Sequence, residues 1–143
     1  MRARWYVAVA VASIGVLGLS MATEAHHAFS AEFDANSPVS LRGTITKVEW
    51  INPHIWVHLQ VEEPDGTLAD WAVEGGAPNA MFRRGWNMES VAPGTEIVVE
   101  GYRAKNGENK ANGRTIQLPD GRRLFVGSSG TGAPRDGAAE QGR

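Results

Sequence analysis

Between residues 54 and 61 the chain changes character at every step. Ile55, Val57, Leu59 and Val61 are apolar, while His54, Trp56, His58 and Gln60 are polar or amphipathic. A side-chain period of two is the mark of an extended strand with one face in a core. This stretch, about His54 to Glu62, therefore predicts a strand with its odd-numbered positions inward. Pro64-Asp65-Gly66 follows. Proline suits the first position of a turn, and glycine supplies the left-handed residue that closes a three-residue hairpin loop. The next strand places Trp71 and Val73 inward, with Asp70, Ala72 and Glu74 outward. A three-residue loop sets Leu59 opposite Trp71 and Val57 opposite Val73, which keeps apolar against apolar.

The same logic extends in both directions. Val39, Leu41, Gly43 and Ile45 alternate with polar residues, and then the phase slips so that Val48 and Trp50 continue the apolar set. A slip within one strand predicts a β-bulge, so strand one is long, bent and able to pair with two neighbours. Asn52-Pro53 ends it. After strand three, Gly75-Gly76 breaks the chain and Pro78 opens a short helix to about Arg84, with Met81 and Phe82 capping one end of a barrel and Gly85 stopping the helix. Strand four is read as Thr95 to Arg103, a polar loop as Ala104 to Gly113, and strand five as Arg114 to Leu118. A second Pro-Asp-Gly turn, Pro119 to Gly121, leads to a last strand at Arg122 to Val126. The expected fold is all-β, an OB-like five-stranded, partly open barrel over residues 39–126 with one short helix between strands three and four. A generic β-sandwich is the alternative.

The two ends of the chain read differently. Residues 1–25 carry Arg2 and Arg4, then an apolar run from Trp5 to Leu19, then small residues. This is the layout of a secretory signal peptide, with cleavage after Ala22 or Ala25. An uncleaved signal anchor is the other reading, and the only expected link to a membrane. Residues 26–38 form a polar lead-in in which Phe29 and Phe33 pin the segment to the body. Residues 127–143 have almost no apolar bulk, and the expectation for them is a disordered tail. The expected location is periplasmic or secreted. The chain has no cysteine and a formal charge of −2. That charge gives no footprint for nucleic acid, which calls for a strongly basic face.

No catalytic signature is found: there is no cysteine nucleophile and no Gly-x-Ser-x-Gly elbow. The four histidines are informative, because His26 and His27 stand at the expected mature N-terminus and His54 and His58 on the outer face of strand two. Imidazole suits copper, zinc and nickel. Four residues along a strand separate His54 from His58 by about 13 Å, too far for one ion to bridge. The metal hypothesis therefore joins His26 and His27 to His54, with copper or another transition metal as the cofactor. Cleavage after Ala25 would add the free amine of His26. The second candidate is a ligand face made of Trp56, His58, His54, Asp70 and Glu74, where an outward tryptophan can stack on a flat ligand. The plain alternative has Trp56 covered by the lead-in through Phe29 or Phe33. Arg83-Arg84 is a weaker candidate for gripping an anion.

His26-His27-Ala28-Phe29, Asn52-Pro53-His54, Glu74-Gly75-Gly76-Ala77-Pro78-Asn79, Arg83-Arg84-Gly85-Trp86 and Glu100-Gly101-Tyr102-Arg103-Ala104 occur in that order. Together they resemble a family of small exported bacterial proteins classed as a domain of unknown function, over about residues 26–126. The resemblance implies an exported OB-like barrel and brings no activity with it. The functional expectation is an exported, non-catalytic module that recognises a small ligand or a transition metal. An accessory subunit that docks another envelope protein is the alternative, and a copper-dependent oxidoreductase using the N-terminal histidines is the third reading.

Overall fold

The computed structural model describes residues 29–127. The expected signal peptide, His26, His27 and nearly all of the expected tail lie outside them. Among the described residues a helical stretch at 29–32 is followed by six strands and a helix in the order β1 (Phe33–Glu49), β2 (Trp56–Glu62), β3 (Leu68–Glu74), α1 (Pro78–Arg83), β4 (Glu96–Ala104), β5 (Lys110–Gln117) and β6 (Arg123–Phe125). The all-β expectation holds.

β1 is the axis of the sheet. It pairs antiparallel with β4 through Pro38–Thr44 and with β2 through Gly43–Glu49, so Gly43 faces both Val61 and Ile97. A Cβ at Gly43 would stand 2.7 Å from the Gln60 carbonyl oxygen, so the crossing admits only glycine without movement. The expected bulge lies between Ile45 and Lys47. It carries the apolar phase from Ile45 to Val48, as the slip in the sequence requires.

The hairpin of β2 and β3 has the expected register, Leu59 with Trp71 and Val57 with Val73. Gly66 takes φ 83° at its turn. The Asp65 carboxylate accepts from the Thr67 amide at 2.9 Å and from its hydroxyl at 2.6 Å. The equivalent turn before β6 has Gly121 at φ 85°, and there Asp120 accepts from the Arg122 amide at 3.0 Å.

The sheet runs β3-β2-β1-β4-β5-β6, and β3 also pairs in parallel with β5. Strands β1 to β5 thus close a ring, and β6 occupies the far half of β5 through Thr115–Gln117. Inside lie Leu41, Ile45, Ile55, Val57, Leu59, Val61, Trp71, Val73, Ile97, Val99 and Ile116, all buried. Helix α1 lies across one end, with Met81 buried and Phe82 stacked on Trp50 at 4.8 Å between ring centroids. Ala77–Pro78 starts the helix and Gly85, at φ 89°, ends it.

Several boundaries differ from the sequence reading; most ends move by one or two residues, and β2 begins at Trp56 and not at His54. β1 begins at Phe33 and not at Val39, because Phe29, Phe33, Tyr102 and Ala104 form a second small apolar cluster that ties the lead-in to β4. Residues 29–32, within the polar lead-in, are helical. β5 begins at Lys110 and not at Arg114, since its first three residues gain hydrogen-bonding partners from β3. The Arg83-Arg84 pair also has a simpler role than an anion grip. Arg84 donates to the Gly127 carbonyl at 2.5 Å and lies 4.7 Å over the Phe125 ring, holding the end of β6 against α1.

Candidate functional site

The outer face of β2 carries Trp56 and His58; His54, read from the alternation as part of the same strand, lies just before it. Ile55, Val57 and Leu59 are buried, while His54, Trp56 and His58 are half-buried on the opposite side. Each histidine meets a different carboxylate. His54 Nδ1 lies 2.5 Å from Glu74 Oε1, and His58 Nε2 lies 3.2 Å from Glu49 Oε1.

The His54 end is the more enclosed. Glu74 is 9 % exposed and Asn112 is 1 % exposed. Asn112 Nδ2 donates to Glu74 Oε2 at 3.1 Å. The two meet because the parallel β3–β5 pairing sets Glu74 opposite Asn112. Glu74 points outward as expected, yet it is covered by His54 on one side and Asn112 on the other. Its contact with Nδ1 orients the imidazole and leaves Nε2 as the nitrogen available to a ligand.

Trp56 is half-buried, and a lysine lies over its ring. Lys110 Nζ stands 4.9 Å from the Trp56 ring centroid and 5.9 Å from that of Phe33. Glu32 pairs with the same ammonium, and Lys105 Nζ donates to the Ser30 carbonyl at 2.5 Å. The N-terminal segment is therefore fastened beside the ligand face, through a lysine that the sequence reading left in a loop.

At the His58 end, Glu49 is the residue that the sequence reading missed. Its signal was present: if Val48 and Trp50 turn inward after the bulge, Glu49 must turn outward, next to β2. Lys47 Nζ donates to Glu49 Oε1 at 2.5 Å. This bond, and then the charge of Lys47 itself, hold the carboxyl below its ordinary range. His58 Nε2 is shielded from solvent and lies 3.2 Å from Glu49 Oε1, a contact that also helps to hold that carboxyl down. An open groove of about 550 Å³ runs past this pair, bounded by Thr46, Lys47, Asp70 and Asn109. Asp70 is exposed on its wall, away from the His54–Glu74 pair.

The five residues expected on the ligand face thus divide into two sites: His54 with Glu74, and His58 near Asp70, with Trp56 between them. Among the described residues no group of three histidine, cysteine, aspartate or glutamate side chains is placed to hold a metal. Nor is any helix among them long and apolar enough to cross a membrane.

A closed all-β ring with a histidine-bearing outer face is the class that these features define. The model of a family of unknown function, DUF6152, matches residues 12–114, and the chain belongs to that family. No curated protein matches the chain, and no solved structure does.

Proposed function

We propose that the protein is an exported OB-like binding module, periplasmic or secreted, whose ligand face is the outer surface of β2 and β3. The OB-like reading is supported by the ring order β1-β2-β3-β5-β4, by the parallel β3–β5 closure and by a helix between β3 and β4. OB barrels bind on this side, flanked by the loops after their first and fourth strands. The export reading rests on the N-terminal sequence alone.

The observation that carries the functional reading is the His54–Glu74–Asn112 chain. A histidine turned by a buried carboxylate, itself held by a buried amide, is the support that metal-binding imidazoles require. His54 Nε2 is then one ligand, and His26 and His27 supply the others, with copper the best match for an all-nitrogen set. The described chain begins at Phe29, which packs on Phe33 and Tyr102, and the same segment meets Lys110, the cation over Trp56, through Glu32. Three residues span at most about 10 Å, which is the reach from Phe29 back to His26. The reaction expected of such a centre is none: the module binds. A copper-dependent oxidoreductase would need a substrate position beside the ion.

Two other readings remain as proposals. Trp56, with Lys110 over its ring, suits a flat small molecule in place of Lys110. The exposed residues Ile51, Phe82 and Met88 suit docking to an envelope protein. Copper titration of the mature protein tests the first reading. Tight binding lost in both His26→Ala and His54→Ala is the expected result, and unchanged affinity in His54→Ala ends it.

A further inference from the structure

We infer that Asn106 is a self-modification site. In the folded protein its side-chain amide reacts with the Gly107 backbone nitrogen, and water then leaves an aspartate or isoaspartate in the turn between β4 and β5. This goes beyond the reading of the preceding section and does not depend on it.

The chain has two Asn-Gly steps, Asn106-Gly107 and Asn112-Gly113. Glycine after asparagine matters because no side chain hinders the approach of its nitrogen to the asparagine Cγ. The two steps start with the same chemistry, and the fold separates them. Asn106 and Gly107 are exposed in the turn after Ala104. Gly107 has φ 82°, and a Cβ there would meet nothing within 4 Å, so the turn is open. Its N–H reaches the Ala104 carbonyl at 3.4 Å, longer than a strong N–H···O bond. Asn106 Oδ1 accepts from the Glu108 amide at 3.1 Å. This is an Asx turn, which bends the side chain over the glycine it must meet. Asn112 is the contrast. It is 1 % exposed and its Nδ2 donates to Glu74 Oε2 at 3.1 Å. It lies in β5 with β3 on one side and β4 on the other, which holds its backbone extended. Reaction there needs the strands to open first, and that opening costs free energy.

The step balances with solvent water as its only co-reactant. The Gly107 nitrogen gives up its proton and bonds to Asn106 Cγ, which closes a cyclic imide. The Cγ–Nδ2 bond breaks, and that nitrogen leaves as ammonia with the proton. Water then adds to either imide carbonyl. One opening gives aspartate. The other gives isoaspartate, which routes the backbone through Cβ and Cγ and so lengthens it by a single atom. Both products add negative charge beside Lys105. The longer one also displaces the turn just before Asn109, whose carbonyl accepts from the Ala72 amide at 3.0 Å where the β3–β5 pairing begins. Asn109 and Asp70 bound the groove at His58, so the reaction alters the rim of that groove.

The test is incubation of the full mature protein in warm, mildly alkaline buffer, with peptide mass spectrometry over time and chromatography to separate aspartate from isoaspartate. A parallel sample in urea exposes both steps equally, and circular dichroism reports that the first sample stays folded. In urea both asparagines should convert. In the folded protein Asn106 should convert about tenfold or more faster than Asn112. Asn106→Ser, which keeps an acceptor for the turn and cannot form the imide, should show no change at that step. An Asn106 that stays intact in the folded protein overturns the inference, and so does an Asn112 that keeps pace with it. Copper binding by freshly prepared protein is untouched by either result, so this inference and the His54 reading fail separately.

Discussion

Replacing Asn112 by alanine removes the donor that holds Glu74 Oε2 at 3.1 Å. Glu74 has almost no solvent to turn to, being 9 % exposed. A hydrogen bond to a charged group contributes about 1.5–3 kcal/mol, and a stranded buried acceptor costs a similar amount. One gain opposes this: Asn112 Oδ1 is itself buried without a partner, and the substitution deletes it. The net expectation is a loss of about 2 kcal/mol. For the domain described, residues 29–127, the unfolding entropy makes this a fall in Tm of roughly 10 °C. Asn112→Asp should fall further at neutral pH, since it sets one carboxylate against another. It should recover part of the loss in acid, where one of the two takes up a proton. Thermal unfolding followed by circular dichroism at two pH values measures both. A Tm within about 2 °C of the parent for Asn112→Ala, or an Asn112→Asp protein indifferent to pH, would refute the buried Glu74–Asn112 link and with it the support claimed for His54.

Gly101→Ala would place a Cβ 2.3 Å from the Asn112 carbonyl oxygen. Backbone has little freedom to move there, so the expected cost is about 3 kcal/mol or more, read as a lowered midpoint in urea. The acid limb of stability should depend on the two hairpin turns. Asp65 and Asp120 are held below their ordinary value of 3.8, Asp65 chiefly by the Thr67 hydroxyl and Asp120 chiefly by the Arg122 amide. A depressed folded-state pKa gives stability that is present above the unfolded value and lost as the pH falls through the folded one. Asp65→Asn should therefore flatten the decline below about pH 4, and an unchanged slope in acid denaturation would count against the turn geometry.

Much of the ring was legible because its signals are local. The alternation from His54 to Val61 gave the direction of each side chain, and the Pro64-Asp65-Gly66 turn gave the register of β2 with β3. The phase slip after Ile45 located the bulge, and Pro78 with Gly85 bracketed the helix. What the sequence concealed depends on partners far along the chain. Lys110-Ala111-Asn112-Gly113 has the composition of a loop and becomes strand because β3 lies along one side and β4 along the other. The pairing with β3 buries Glu74 and brings Lys110 over Trp56, a neighbour that neither the open ligand face nor its alternative, cover by Phe29 or Phe33, anticipated. Those two rings pack instead with Tyr102, a contact that no periodicity in the lead-in announces.

The parallel seam of β3 and β5 has only three residue pairs, Ala72–Lys110, Val73–Ala111 and Glu74–Asn112. It is the shortest stitch in the ring, and its last pair carries the carboxylate and amide that steady His54. Whatever loosens that pair is therefore felt where the ring closes on itself, at its narrowest join.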